Sequence, residues 1–252
     1  MSSYEQKIFV ELNSWARKLL KPPGIFERTS KGVQNKINDV IPEKVHEVIT
    51  TTVRGIVKSV LLGLDFIPKG LPQAGALEER DLKARELLDV YKKVAAAEGA
   101  GTGAGGFWLA MADFPALIAI KMKFLFELAH VYGYSTKDYR ERLFILYVFQ
   151  LAFSSQTKRP DLFKIVSDWS KNEQQYPAGE EAIQQIDWEL FQKEYRDAID
   201  LRKLLQMIPG IGAVVGAWAN YGLLEELGVV AMNCYRLRIL KEAGNYRLEA
   251  GE

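Results

Sequence analysis

The chain has 252 residues, the length of one large domain or two small ones. Its 33 Lys and Arg against 32 Asp and Glu give a formal charge of +1, and 48% of it is apolar, which excludes general disorder and a histone-like nucleic-acid binder. Cys234 is the single cysteine, so an intrachain disulfide and a thiolate-built zinc site are excluded, and His46 and His130 are the only imidazoles.

Met1-Ser-Ser-Tyr-Glu-Gln-Lys7 has no basic stretch leading into an apolar run, and neither end carries a lipidation motif. Cytoplasmic residence is expected. Phe9, Leu12, Trp15, Ala16, Leu19 and Leu20 recur at three and four, predicting an amphipathic helix that stops at Pro22-Pro23-Gly24. After a short segment, Ser30 to Val40, the apolar stripe from Val45 to Leu64 keeps a helical period despite its β-branched residues. It stops at the Gly- and Pro-rich loop Ile67 to Pro72. Leu77 to Ala97, rich in Leu, Ala, Glu, Lys and Arg, predicts the next helix.

That helix enters a first window, Gly99 to Ile120, in which Asp113 is the only charge. Helices follow at Ala116 to Tyr132, ending on Gly133 as a C-cap, and at Tyr139 to Phe153, which reads as buried. Ser154 to Arg159 marks a break, Ser170 to Glu180 reads as a surface loop, and Glu181 to Leu205 as a helix. A second window, Leu204 to Leu224, has no charge at all, and Glu225 to Glu242 closes the chain as a helix. The expectation is an all-α fold: a single compact multi-helix domain over 42–244 with two buried glycine-rich helical hairpin segments. An N-terminal helical extension (1–41) precedes it, and a short tail (245–252) follows.

Both windows set small residues four apart, Gly99 with Gly103 and Gly101 with Gly105 before Phe107-Trp108, and Gly212 with Gly216 before Trp218. Small residues at that spacing share one helix face and let another helix approach closely, in lipid or in a soluble core. Each window is about as long as a minimal span of roughly 20 residues. Asp113 and Pro115 interrupt the first, and Pro209 and Asn220 the second. Three uses stay open: buried hairpins, membrane-contacting elements and true spans. The G-x-G-x-x-G match at Gly101 to Gly106 follows a helical segment instead of a strand, so it lacks the turn that makes such a motif bind a dinucleotide.

Glu43-Lys-Val-His46 and Glu127-Leu-Ala-His130 are both Glu-x-x-His, the ligand pair that carboxylate bundles use for two metals when two further glutamates complete the set. Charge complementarity at helix ends is the plainer use of His46 and His130. Asp113 before Phe114-Pro115 suits an N-cap with proline in the first turn, and an enzyme would place its polar pocket there. Cys234 reads as a packed thiol. No cofactor is implied, and no basic stripe with interleaved aromatics suggests nucleic acid.

Taken in order, these blocks resemble the EcsC protein family. The resemblance rests on Glu98-Gly99-Ala-Gly-Thr-Gly103-Ala-Gly105-Gly106-Phe107, Ala112-Asp113-Phe114-Pro115-Ala-Leu117, Tyr132-Gly133, Ile208-Pro209-Gly-Ile-Gly212-Ala-Val-Val-Gly216-Ala217 and Asn220-Tyr221, and spans roughly residues 45 to 240. It implies an α-helical protein, cytoplasmic or membrane-associated, with no catalytic residue to carry over. Ser135 stands two residues after Gly133, where the family pattern has an aspartate. The expectation is a non-enzymatic protein contacting membrane lipid or a membrane protein complex. Its candidate residues are Asp113, Pro115, Tyr132, Gly133 and Asn220, with Phe107, Trp108, Trp218 and the window glycines as contact elements. A soluble enzyme with a polar pocket near Asp113, of hydrolase or metal-carboxylate type, is the alternative.

Overall fold

A computed structural model describes residues 1–22, 43–63, 66–103, 114–176, 213–244 and 246. Eight α-helices occur among them: α1 Ser3–Leu19, α2 Glu43–Leu62, α3 Leu77–Gly103, α4 Phe114–Val131, α5 Tyr139–Phe153, α6 Arg159–Ser167, α7 Trp169–Asn172 and α8 Ala213–Glu242. A 3₁₀ turn follows α7 at Glu173–Gln175, and no strand is found among the described residues. The all-α expectation is met.

Helix α1 starts on a capping box. The Ser2 hydroxyl accepts from the Glu5 N–H at 3.1 Å, while the Ser2 N–H donates to the Glu5 carboxylate at 2.7 Å. Its apolar stripe buries Ile8, Leu12 and Ala16 against α3 and α8. No basic residue lies in the last turn of α2, where free carbonyls attract cations. Arg142 of α5 supplies that cation from outside, donating to the Leu61 carbonyl at 3.0 Å and to Lys137 at 2.8 Å.

Helices α4 and α5 are buried nearly all round, as their run of Leu, Ile and Phe requires, and their phenylalanines fill the centre of the core. Pro115 sits in the first turn of α4, exposed, where its missing N–H costs nothing. Asp138 caps α5 by accepting from the Arg140 N–H at 2.9 Å. The polar stretch after Ser170, expected as a loop, instead begins with α7 and the 3₁₀ turn, because Trp169 is fully buried and stacks on Tyr176 at 4.9 Å.

Two helices run further than their periodicity predicts. Helix α3 continues through Ala95-Ala96-Ala97-Glu98 to Gly103, and α8 is one rod of 30 residues that joins the end of the second window to the closing helix. They form the most extensive packing pair among the described elements. Their register is antiparallel: Arg236 meets Asp81 at 3.0 Å, Gly228 faces Leu88, and Lys92 meets Glu225 at 3.5 Å. A Cβ at Gly228 would run into the tip of the Leu88 side chain, so a larger residue there must displace that leucine. Continued along both rods, this register sets the last turn of α3, ending at Gly103, beside the first turn of α8, beginning at Ala213.

Candidate functional site

Among the described residues the densest polar cluster lies at the other end of α3 and α8, and the end of α4 builds it. The Gly133 N–H donates to the His130 carbonyl at 3.1 Å and the Tyr134 N–H to Ala129 at 2.9 Å, closing the helix with Gly133 at φ +91°. A side chain at Gly133 would lie 2.8 Å from the Arg80 guanidinium and 3.0 Å from the Gln73 carbonyl, and Arg80 itself donates to the Tyr132 carbonyl. This C-cap, read from the sequence, sends Tyr132 and Tyr134 into two buried ion clusters.

In the first cluster Asp81, wholly buried on α3, takes both its oxygens to Arg236 at 3.0 Å. It also accepts from Tyr132 at 2.5 Å and from Tyr4 of α1 at 2.6 Å. Arg236 donates to Asn233 at 3.0 Å and lies 3.9 Å from Glu11. In the second, Glu141 of α5 accepts from Arg238 and Tyr235 at 2.6 Å each. Arg238 reaches Glu173 at 3.1 Å and Glu242 at 3.0 Å, and its guanidinium lies 4.0 Å over the Tyr134 ring. Tyr132 and Tyr235 stack at 5.3 Å and join the two clusters.

Electrostatics make this cluster a lock. Burial, and then the Asp81 charge, push the Tyr132 phenol well above its ordinary range. Burial raises the Glu141 carboxyl against the pull of Arg238 and Tyr235. Each acid oxygen is occupied by a donor, so the arrangement holds α1, α3, α4, α5 and α8 together and presents neither a free base nor an activated nucleophile. Burial likewise pushes the Cys234 thiol up, which makes it the packed thiol expected.

The chemical outlier is Lys121. It is entirely buried on α4, and its amine donates to two neutral oxygens, the Leu117 carbonyl and the Asn220 side chain, both at 3.3 Å. Desolvation brings its pKa down to about 7. Asn220, a candidate from sequence, is thus fully buried and spent on this lysine in the α4–α8 seam.

Glu127 and His130, proposed as a ligand pair, serve separate partners. Glu127 accepts from Tyr91 at 2.8 Å, and His130 faces Thr136 at 3.2 Å, its pKa lowered by burial and then by Lys137. Among the described residues no three His, Cys, Asp or Glu side chains gather as a metal site. Glu43 and His46 lie on α2, and Gly99, Gly103, Gly216 and Trp218 on α3 and α8, with only their backbones described. Gly105, Phe107, Trp108, Asp113 and Gly212 fall outside the described residues. Asp81 and Glu141 belong to no motif in the sequence, where Arg236 and Arg238 read only as basic residues flanking the second window. The available signal was two arginines and an asparagine in the apolar run Val229 to Leu240.

The EcsC protein family model matches residues 6–240 of this chain. Protein EcsC of Bacillus subtilis (strain 168) is 46% identical over 238 residues, covering 94% of this chain and 97% of that protein. An uncharacterized protein of the same organism, YdbA, is 27% identical over 228 residues, covering 89% of this chain and 77% of its own length. No solved structure matches. The ordered glycine-rich blocks, the Tyr132-Gly133 cap and a match over nearly the whole length make this chain a member of the EcsC protein family.

Proposed function

We propose that this protein acts by contact and not by catalysis, at a membrane surface or on a membrane protein complex. The observation that carries this reading is the antiparallel register of α3 and α8. It gathers the glycine-rich end of α3 and the uncharged start of α8 at one end of the molecule. That end joins small residues to neighbouring Phe107, Trp108 and Trp218 in the sequence, a composition suited to the apolar–polar boundary of a bilayer. Exposed Lys93 and Lys123 lie within three turns of it along their helices and are suited to reach toward lipid phosphates. No helix among the described residues is long and apolar enough to cross a membrane, so the contact proposed is peripheral. Satisfaction of the described acids and phenols by one another adds support for contact over chemistry.

Separation of cells into soluble and membrane pools tests the proposal. A substantial share of the protein is expected in the membrane pool, released by alkaline carbonate as a peripheral protein is. Recovery entirely in the soluble pool would contradict it.

A further inference from the structure

The outer side of α3 is unusual for a helix whose inner side is so well packed. Ala84, Leu88, Tyr91 and Ala95 face the core. On the opposite side Leu82 is 59% exposed, Val90 57% and Val94 45%, and these positions fall within one third of the helix circumference. Just before α3, Leu71 is 87% exposed in the turn Pro68-Lys69-Gly70-Leu71-Pro72. That turn is held from behind, since the Gln73 N–H donates to the His130 carbonyl at 2.8 Å and the Arg80 guanidinium to the Gly75 carbonyl at 2.9 Å. At its far end the exposed side of α3 runs into the glycine-rich last turn of that helix.

We propose that this face, from Leu71 through Leu82, Val90 and Val94, is the surface that lies on the bilayer, with the long axis of α3 parallel to the membrane plane. The proposal rests on the membrane-contact reading above and names the residues that make the contact. Three features favour lipid over a protein partner. The face is the outer side of a helix, with exposed aliphatic side chains that a deformable acyl boundary can accept. Lys69, Lys83 and Lys93 are exposed along it, each with a stem long enough to carry its amine to the phosphate level. The face is also continuous with the uncharged segment that the chain enters after Glu98. Glu79 and Glu86 share this side and nearly offset the lysines, so aliphatic insertion dominates and anionic lipid adds only a modest preference.

The test uses the full chain with vesicles of phosphatidylcholine alone and of phosphatidylcholine with one quarter phosphatidylglycerol. Cys234 is fully buried, so single labels placed by Leu71→Cys, Val90→Cys and, on α6, Lys164→Cys report separately. On vesicles, the labels at 71 and 90 are expected to become shielded from an aqueous quencher while the label at 164 stays open. Leu71→Asp and Val90→Asp, both at exposed positions that folding does not need, should each weaken vesicle binding by about tenfold, the factor for losing one inserted aliphatic side chain.

Three results would overturn the proposal. Vesicle-bound protein with all three labels equally quenched removes this face and leaves the membrane reading standing. Shielding at 71 and 90 without vesicles, rising with protein concentration, assigns the face to a second copy of the chain. Failure of the unlabelled protein to bind either vesicle removes the membrane reading itself.

Discussion

Lys121 carries a heavy electrostatic burden in the described core. Its pKa of about 7 lies below an unfolded value of about 10.5, so the folded state disfavours the charged amine. The penalty is absent above pH 10.5, grows as pH falls from there to 7, and is constant below. At neutral pH it is on the order of 4 kcal/mol. Lys121→Met removes it at the loss of two long hydrogen bonds, worth about 1–2 kcal/mol together. The variant is expected to be more stable by about 2 kcal/mol at pH 7, with the gain gone by pH 10. Urea unfolding at both pH values checks this, and equal effects at the two would refute the buried amine.

At the scale of elements, α3 and α8 depend on close approach at one glycine. A methyl group at Gly228 meets Leu88, so Gly228→Ala is expected to cost about 1–3 kcal/mol by overpacking, although alanine alone favours helix. Leu88→Ala in the same chain makes room for it. The double variant should therefore be more stable than the sum of the two single effects, by a coupling of about 1 kcal/mol in thermal or urea unfolding. Strict additivity would mean that the rods do not pack through this pair.

The same two rods explain what could and could not be read from the sequence. Helices α1, α2, α4 and α5 were legible from their periods and punctuation. Pro22, the Ile67–Pro72 loop, Pro115 and Gly133 mark ends that local chemistry decides. The continuity of α8 was not, because its glycines weaken the local signal and the packing partner that tolerates Gly228 lies 140 positions earlier. The ion clusters were hidden for a similar reason. Asp81 and Arg236 are unremarkable charges in two helices until the fold removes water from both. Tyr132 and Gly133 were visible as a helix end, and their role as the link between clusters needed Tyr235 and the third dimension.

For the whole molecule, charge and its absence are segregated along α3 and α8. One end is fastened by Asp81, Glu141, Arg236 and Arg238, and the other carries the glycine-rich last turn of α3 and the uncharged first turn of α8. At the fastened end α1, α3, α4, α5 and α8 are joined through buried side chains. That division suits a protein whose work is contact, with buried ion clusters that hold α3 rigid while its outer face meets the surface. Co-sedimentation of the purified full chain with neutral and anionic vesicles tests membrane contact most directly. The protein is expected to pellet with both compositions, somewhat more with the anionic one. A protein that stays in the supernatant with both, over a range of lipid concentrations, would contradict membrane contact.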